Sequence, residues 1–92
     1  MMLDPPPSKR FEIESGIAAT LVDDELVILQ FATNRYLSLN AAGVIVWSGI
    51  KSGLDYGQLP RLLQDKFGID EATARRDVSA LVRDLLEQEL IA

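Results

Sequence analysis

The chain has 92 residues, a formal net charge of −5, 48% apolar residues, and neither cysteine nor histidine. Disulfides, thiolate chemistry, the usual zinc sites and nucleophile–histidine dyads or triads are therefore excluded. The acidic balance opposes binding to a phosphate backbone, which needs clustered Lys and Arg, and favours a neutral or basic partner.

This length holds one domain with one core, and the apolar content rejects disorder. A chain this size buries about 60–65% of its unfolded surface, so its stability is modest. Residues 1–10 read as a flexible proline-rich arm, and residues 11–92 as the single folded domain. Pro5-Pro6-Pro7 enforces a polyproline II path, and a solvated tail is preferred here to a proline-rich ligand. The segment from Met1 to Pro7 has neither the basic nor the apolar region of a signal peptide. No apolar run approaches the ~20 residues of a membrane span, so a cytoplasmic protein without membrane contact is expected.

Residues 11–39 carry strand signals. Phe11-Glu12-Ile13-Glu14 alternates and then breaks at Ser15-Gly16. Ile17 to Val22 is apolar and β-tolerant, and Asp23-Asp24 supplies a turn. Leu26 to Phe31 is apolar on both alternating sets, which predicts a central strand covered on both faces. Thr33-Asn34 makes the next turn, and Arg35 to Leu39 forms the third strand. Two tight turns give an antiparallel meander with that third strand at an edge.

From residue 40 the period becomes helical. Asn40 is an N-cap ahead of Ala41 to Lys51, with Val44, Trp47 and Ile50 on one face and Gly53 at the end. Asp55 caps a second helix, with Leu59, Leu62, Leu63 and Phe67 in an amphipathic stripe, Pro60 near its start and Gly68 as its stop. Asp70 caps a third, whose apolar stripe is Ala74, Val78, Leu81, Val82 and Leu85. The closing Leu90-Ile91-Ala92 is too short to assign. Three strands followed by three helices predict an α+β, winged-helix-like domain, an N-terminal three-stranded antiparallel sheet followed by three helices.

Four features compete for a functional reading. Trp47 stands among Val44, Ile45 and Ile50 and reads as core. Arg75 and Arg76 would suit a nucleic-acid helix, but the same helix region carries Asp70, Glu71, Asp77, Asp84, Glu87 and Glu89. A solvated face with a Glu71–Arg75 pair is the better reading. Asp23-Asp24-Glu25 is the densest carboxylate cluster, yet adjacent turn residues point apart, so it reads as a turn. Neither a metal nor a cofactor nor a catalytic residue is expected. Tyr36 either covers the sheet end or walls a pocket. Residues 36–39 carry no proline, charge or bulge to protect the edge, and such an edge suits addition of an incoming strand.

The run Tyr36-Leu37-Ser38-Leu39-Asn40-Ala41-Ala42-Gly43-Val44-Ile45-Val46-Trp47, followed by Gly53, resembles the PqqD family, also called precursor-peptide (RiPP) recognition elements. The resemblance covers residues 17–91. It implies a sheet on a winged-helix base, with the leader of a ribosomally made precursor peptide docked beside the third strand and against the third helix. Within the family, the run is most similar to the stand-alone recognition proteins of lasso-peptide clusters. Those work with a separate leader peptidase of transglutaminase-like fold and a cyclase. The pyrroloquinoline quinone peptide chaperone often has threonine where Ala42 stands here.

The expected function is a non-catalytic module that recognises a basic or neutral leader and delivers it to a maturation enzyme. A pyrroloquinoline quinone-type chaperone and a winged-helix nucleic-acid binder are the alternatives. The expected peptide-binding residues are Arg35, Tyr36, Leu37, Ser38 and Leu39 on the third strand, with Ala74, Arg75, Val78, Ser79 and Val82 on the third helix. Asp77 and Leu81 mark the helix's other flank, and periodicity alone does not say which flank faces the strand. The Arg75 flank is expected as the back wall of a groove, with Leu37 or Leu39 as its floor.

Overall fold

Two left-handed turn residues shape the sheet. Asp23 and Asn34 both adopt a φ of 56°, a conformation that Asp and Asn tolerate better than most residues. They join β1 (Ile17–Val22) to β2 (Glu25–Gln30) and β2 to β3 (Arg35–Leu39). The computed structural model describes residues 4–92. Its sheet is antiparallel in the order β1-β2-β3, with Leu21 opposite Leu26 and Ile28 opposite Leu37. That register puts Leu26, Ile28, Leu37 and Leu39 on one face, where they are buried or half-buried. Val27, Leu29, Tyr36 and Ser38 alternate onto the other.

The expected covering of both faces of β2 is not found. All the helices follow the sheet in sequence and pack on one side of it, while Ala18, Thr20, Val22, Tyr36 and Ser38 stay exposed on the other. Val27 and Leu29 are half-buried, sheltered only by the strands beside them. One wet face is ordinary for an antiparallel sheet.

The helices are α1 (Ala41–Lys51), α2 (Leu59–Phe67) and α3 (Glu71–Glu87). Asn40 caps α1 by accepting the Gly43 N–H at 3.0 Å. The buried residues of α1 are Gly43, Val46, Trp47, Gly49 and Ile50, of which Gly43, Val46, Trp47 and Ile50 are spaced i, i+3, i+4, i+7. Val44 and Ile45 are only half-buried, so the face lies to one side of the expected Val44–Trp47 line. Asp55 caps a 3₁₀ turn, Tyr56–Gln58, through a reciprocal capping box with Gln58, and that turn leads into α2. Gly68 ends α2 at φ 66°. Asp70 caps α3 by accepting the Thr73 N–H at 3.0 Å.

Ile28, Val46, Leu59, Leu63, Val78, Val82 and Leu85 form the dry centre of the core. Residues 12–14 and 90–92 close it from below. Glu12 and Ala92 exchange backbone hydrogen bonds of 3.0 and 2.9 Å, and the Glu14 N–H donates to the Leu90 carbonyl at 3.0 Å. Phe11 packs edge-on against Tyr56, with ring centroids 5.9 Å apart.

Residues 4–10, expected as a free arm, run along the 3₁₀ turn. The Tyr56 N–H donates to the Lys9 carbonyl at 2.8 Å, and the Gly57 N–H to that of Pro7 at 2.9 Å. Gly57 permits this approach, since a Cβ there would stand 3.1 Å from the Pro7 Cβ. Met1, Met2 and Leu3, the rest of the expected arm, lie outside the described residues.

Candidate functional site

β3 pairs with β2 on one side only, because the sheet order ends there. Its other edge borders a groove of about 620 Å³ that separates it from α3. The sheet contributes Glu25, Leu37, Ser38 and Leu39, and α3 contributes Asp77, Ala80, Leu81 and Asp84. Val46 of α1 and Leu63 of α2 line it from the core side, and Asn40, Ala42 and Gly43 close one end. α3 runs antiparallel to β3. Gln88, at the foot of α3, accepts a 3.3 Å hydrogen bond on its carbonyl from the Gln30 side chain, and Gln30 pairs with Arg35. Asp84 therefore lies toward the start of β3 and Asp77 toward its end.

The strand residues expected at the site are all on this edge. Leu37 is half-buried and Leu39 buried, and both line the groove. Ser38 lies at its rim, and its hydroxyl donates to the Glu25 carboxylate at 3.0 Å. Arg35 lies at the start of the strand, beside Gln88 and Leu90. Tyr36 points to the open face of the sheet and is 75% exposed, so of its two readings the covering one fails. It does not line the groove either.

The helix residues fall elsewhere. Ala74, Val78 and Val82 are core residues, each no more than 1% exposed. Arg75 is paired with Glu71 at 2.8 Å and, with Ser79, borders a different cavity of about 260 Å³ under the N-terminal arm. Asp4 of that arm stands 3.4 Å from the Ser79 hydroxyl and 3.9 Å from Arg83. The expected Arg75 flank is therefore turned away from β3, and the Asp77–Leu81 flank is the one that faces it. The reason is the core stripe. Burying Ala74, Val78, Val82 and Leu85 fixes the rotation of α3, and residues 77, 81 and 84 then fall on the strand side. Ala80 and Asp84 are residues that sequence reasoning missed. The i, i+4, i+7 spacing of Asp77, Leu81 and Asp84 was the available signal.

The groove is apolar below and acidic along its margins. Glu25, Asp77 and Asp84 line it, and no Lys or Arg does. The carboxylates are strung out rather than clustered, and among the described residues no three acidic groups are placed to hold a metal ion. One titration is clearly perturbed. Asp70 is held below the usual carboxylate range by the Thr73 hydroxyl and backbone N–H that bond it. That is a cap at the start of α3, outside the groove. No helix among the described residues is long and apolar enough to cross a membrane.

Residues 25–91 match the family model of coenzyme PQQ synthesis protein D (PqqD). Two solved structures are similar. One is TbiB1 in complex with the TbiA(beta) leader peptide, 28% identical with a TM-score of 0.79, the match covering 87% of this chain and 93% of that one. The other is lasso peptide synthetase B1 complexed with the leader peptide, 21% identical with a TM-score of 0.83, covering 91% and 99%. The second likeness is one of fold. No curated protein matches the chain.

Proposed function

The chain belongs to the PqqD family, and from that premise we propose that it binds the leader of a ribosomally made precursor peptide by strand addition at β3. It is a non-catalytic module that hands the leader to a separate enzyme, the leader peptidase of lasso-peptide biosynthesis, with a cyclase acting afterwards. The observation that carries the reading is the free β3 edge standing over an apolar groove. The TbiB1 structure, a complex with a leader peptide, supports it.

The energetics require both parts of that site. A five- or six-residue strand adds about 4–6 backbone hydrogen bonds of ~0.5–1.5 kcal/mol net each. Association and ordering cost at least ~4 kcal/mol. An apolar anchor buried in the groove adds ~1.5–3 kcal/mol and makes the binding useful. A nucleic-acid backbone would meet three carboxylates and no cation in the same groove.

The test is fluorescence anisotropy with leaders encoded beside this gene. Binding below about 100 μM, worth roughly 5.5 kcal/mol, is expected. Weaker binding by every such leader overturns the reading. Amide exchange should slow at residues 35–39 on leader addition.

A further inference from the structure

Asp77, Leu81 and Asp84 face the groove from one stripe of α3. The two carboxylates are thus about 10.5 Å apart along the helix, with Leu81 between them. Glu25 adds negative charge at the rim of the same groove, from the open face of the sheet beside Ser38. Among the described residues none of the three is in an ion pair. The ion pairs among the described residues are Arg61–Asp65, Arg75–Glu71 and Arg83–Asp4. The Glu25 carboxylate accepts from the Ser38 hydroxyl.

We propose that the groove selects a strand of the pattern basic–x–apolar–x–basic. The apolar residue sits against Leu37 and Leu81, one cation lies at Asp77, and the other lies at Asp84. The inference rests on the strand-addition reading above and names the class of peptide that the site takes. Its geometry follows from two periods. Strand positions i and i+4 point the same way and are about 13 Å apart. The acidic groups on α3 are a little closer than that, and the flexible stems of Lys and Arg absorb the difference. A strand bound in this register puts both cations over unpaired carboxylates. An acidic strand in the same place meets the two like charges of α3.

The test uses blocked synthetic heptapeptides and the isotope-labelled full chain, followed by amide shifts. The probes are Thr-Lys-Thr-Leu-Thr-Lys-Thr and the versions with Gln or Glu in place of Lys. The Lys probe should bind about tenfold more tightly than the Gln probe, the size expected of two partly screened ion pairs, and the Glu probe most weakly. High salt should close most of that gap. Asp77→Asn and Asp84→Asn should each weaken the Lys probe, and D77K with D84K should reverse the order of Lys and Glu probes. Both positions are exposed, so these variants keep the fold. Equal affinity of Lys and Gln probes, with shifts still centred on residues 35–39, overturns the charge pattern and leaves strand addition standing. Absence of shifts at those residues with all three probes overturns both.

Discussion

A Cβ placed on Gly43 would stand 2.9 Å from the Cβ of Leu39. The last residue of β3 therefore rests directly on the first turn of α1, and the strand enters the helix with no loop between them. Asn40 fixes the same corner from the other side by capping the Gly43 N–H. This corner sets the height of the β3 edge over the groove. The Leu-Asn-x-x-Gly run is its sequence form.

Gly43→Ala should accordingly destabilise the domain. On propensity alone, alanine in a helix is better than glycine by about 1 kcal/mol. The contact with a backbone-proximal Cβ is not relieved by a rotamer change, and overpacking costs ~1–3 kcal/mol. Net loss is expected in urea denaturation with an unchanged m-value. A gain in stability would show that the corner has slack.

Asn40→Ala removes the cap without adding volume. A loss of about 1 kcal/mol is expected, which for a domain of this size lowers Tm by roughly 4–8 °C. Asn40→Asp should retain most of the stability, because aspartate caps as well as asparagine. Equal Tm for the alanine variant and the parent would mean that the 3.0 Å bond contributes nothing.

The two flanks of α3 give a direct contrast. Leu81→Asp puts a charge into the groove wall and should cut leader affinity more than about tenfold while the dichroism spectrum stays native. Arg75→Glu, on the flank beneath the arm, should change affinity less than about twofold, the margin of a distant surface charge. The opposite ranking would return the peptide to the Arg75 side. Val82→Asp buries an unpaired charge at a site 1% exposed and is expected to unfold the chain, so it reports on the core and not on the peptide.

Local chemistry was legible in the sequence, and relative orientation was not. The turns at Asp23-Asp24 and Thr33-Asn34, the caps Asn40, Asp55 and Asp70 and the stop at Gly68 all rest on short-range hydrogen bonding or backbone preference. Each stands where its residue types place it, with Asp55 displaced only by the 3₁₀ turn ahead of α2. The groove needed the rotation of α3 about its own axis, which is set by packing against other elements. Val78 and Val82 were apolar enough to suit a peptide wall and a core alike, and the core took them. β2 misled in the same way, since apolar residues on both sets describe a strand flanked by two others as well as one covered by two layers. Leu90-Ile91-Ala92 had no local signal at all, because its pairing partner lies at the other end of the domain.

Asp70 gives a pH signature. Its folded pKa lies below the usual value because Thr73 bonds the charged form. The fold therefore favours the ionised carboxylate. The resulting stability is present above the unfolded pKa and is lost as pH falls through the folded one. Asp70→Asn keeps a capping oxygen but does not titrate. In urea denaturation from about pH 5 downward, the advantage of the parent over this variant should shrink as the pH drops below the ordinary Asp range, near 3.9. Parallel pH profiles for the two proteins would assign the acid sensitivity to other carboxylates.

The pairing of residues 12–14 with residues 90–92 also has a kinetic meaning. It closes a loop of almost the whole domain, and loop-closure entropy makes such contacts unrewarding until the intervening chain is already ordered. The clasp should therefore form after the rate-limiting barrier to folding and open before the barrier to unfolding. Ile91, 3% exposed, then acts as a latch. Ile91→Ala should leave the refolding limb of the chevron in place and steepen loss of the native state by raising the unfolding rate alone. How long the β3 edge keeps its shape between encounters with peptide would then be governed by two short paired segments, one of which reaches the start of the strand at Leu90.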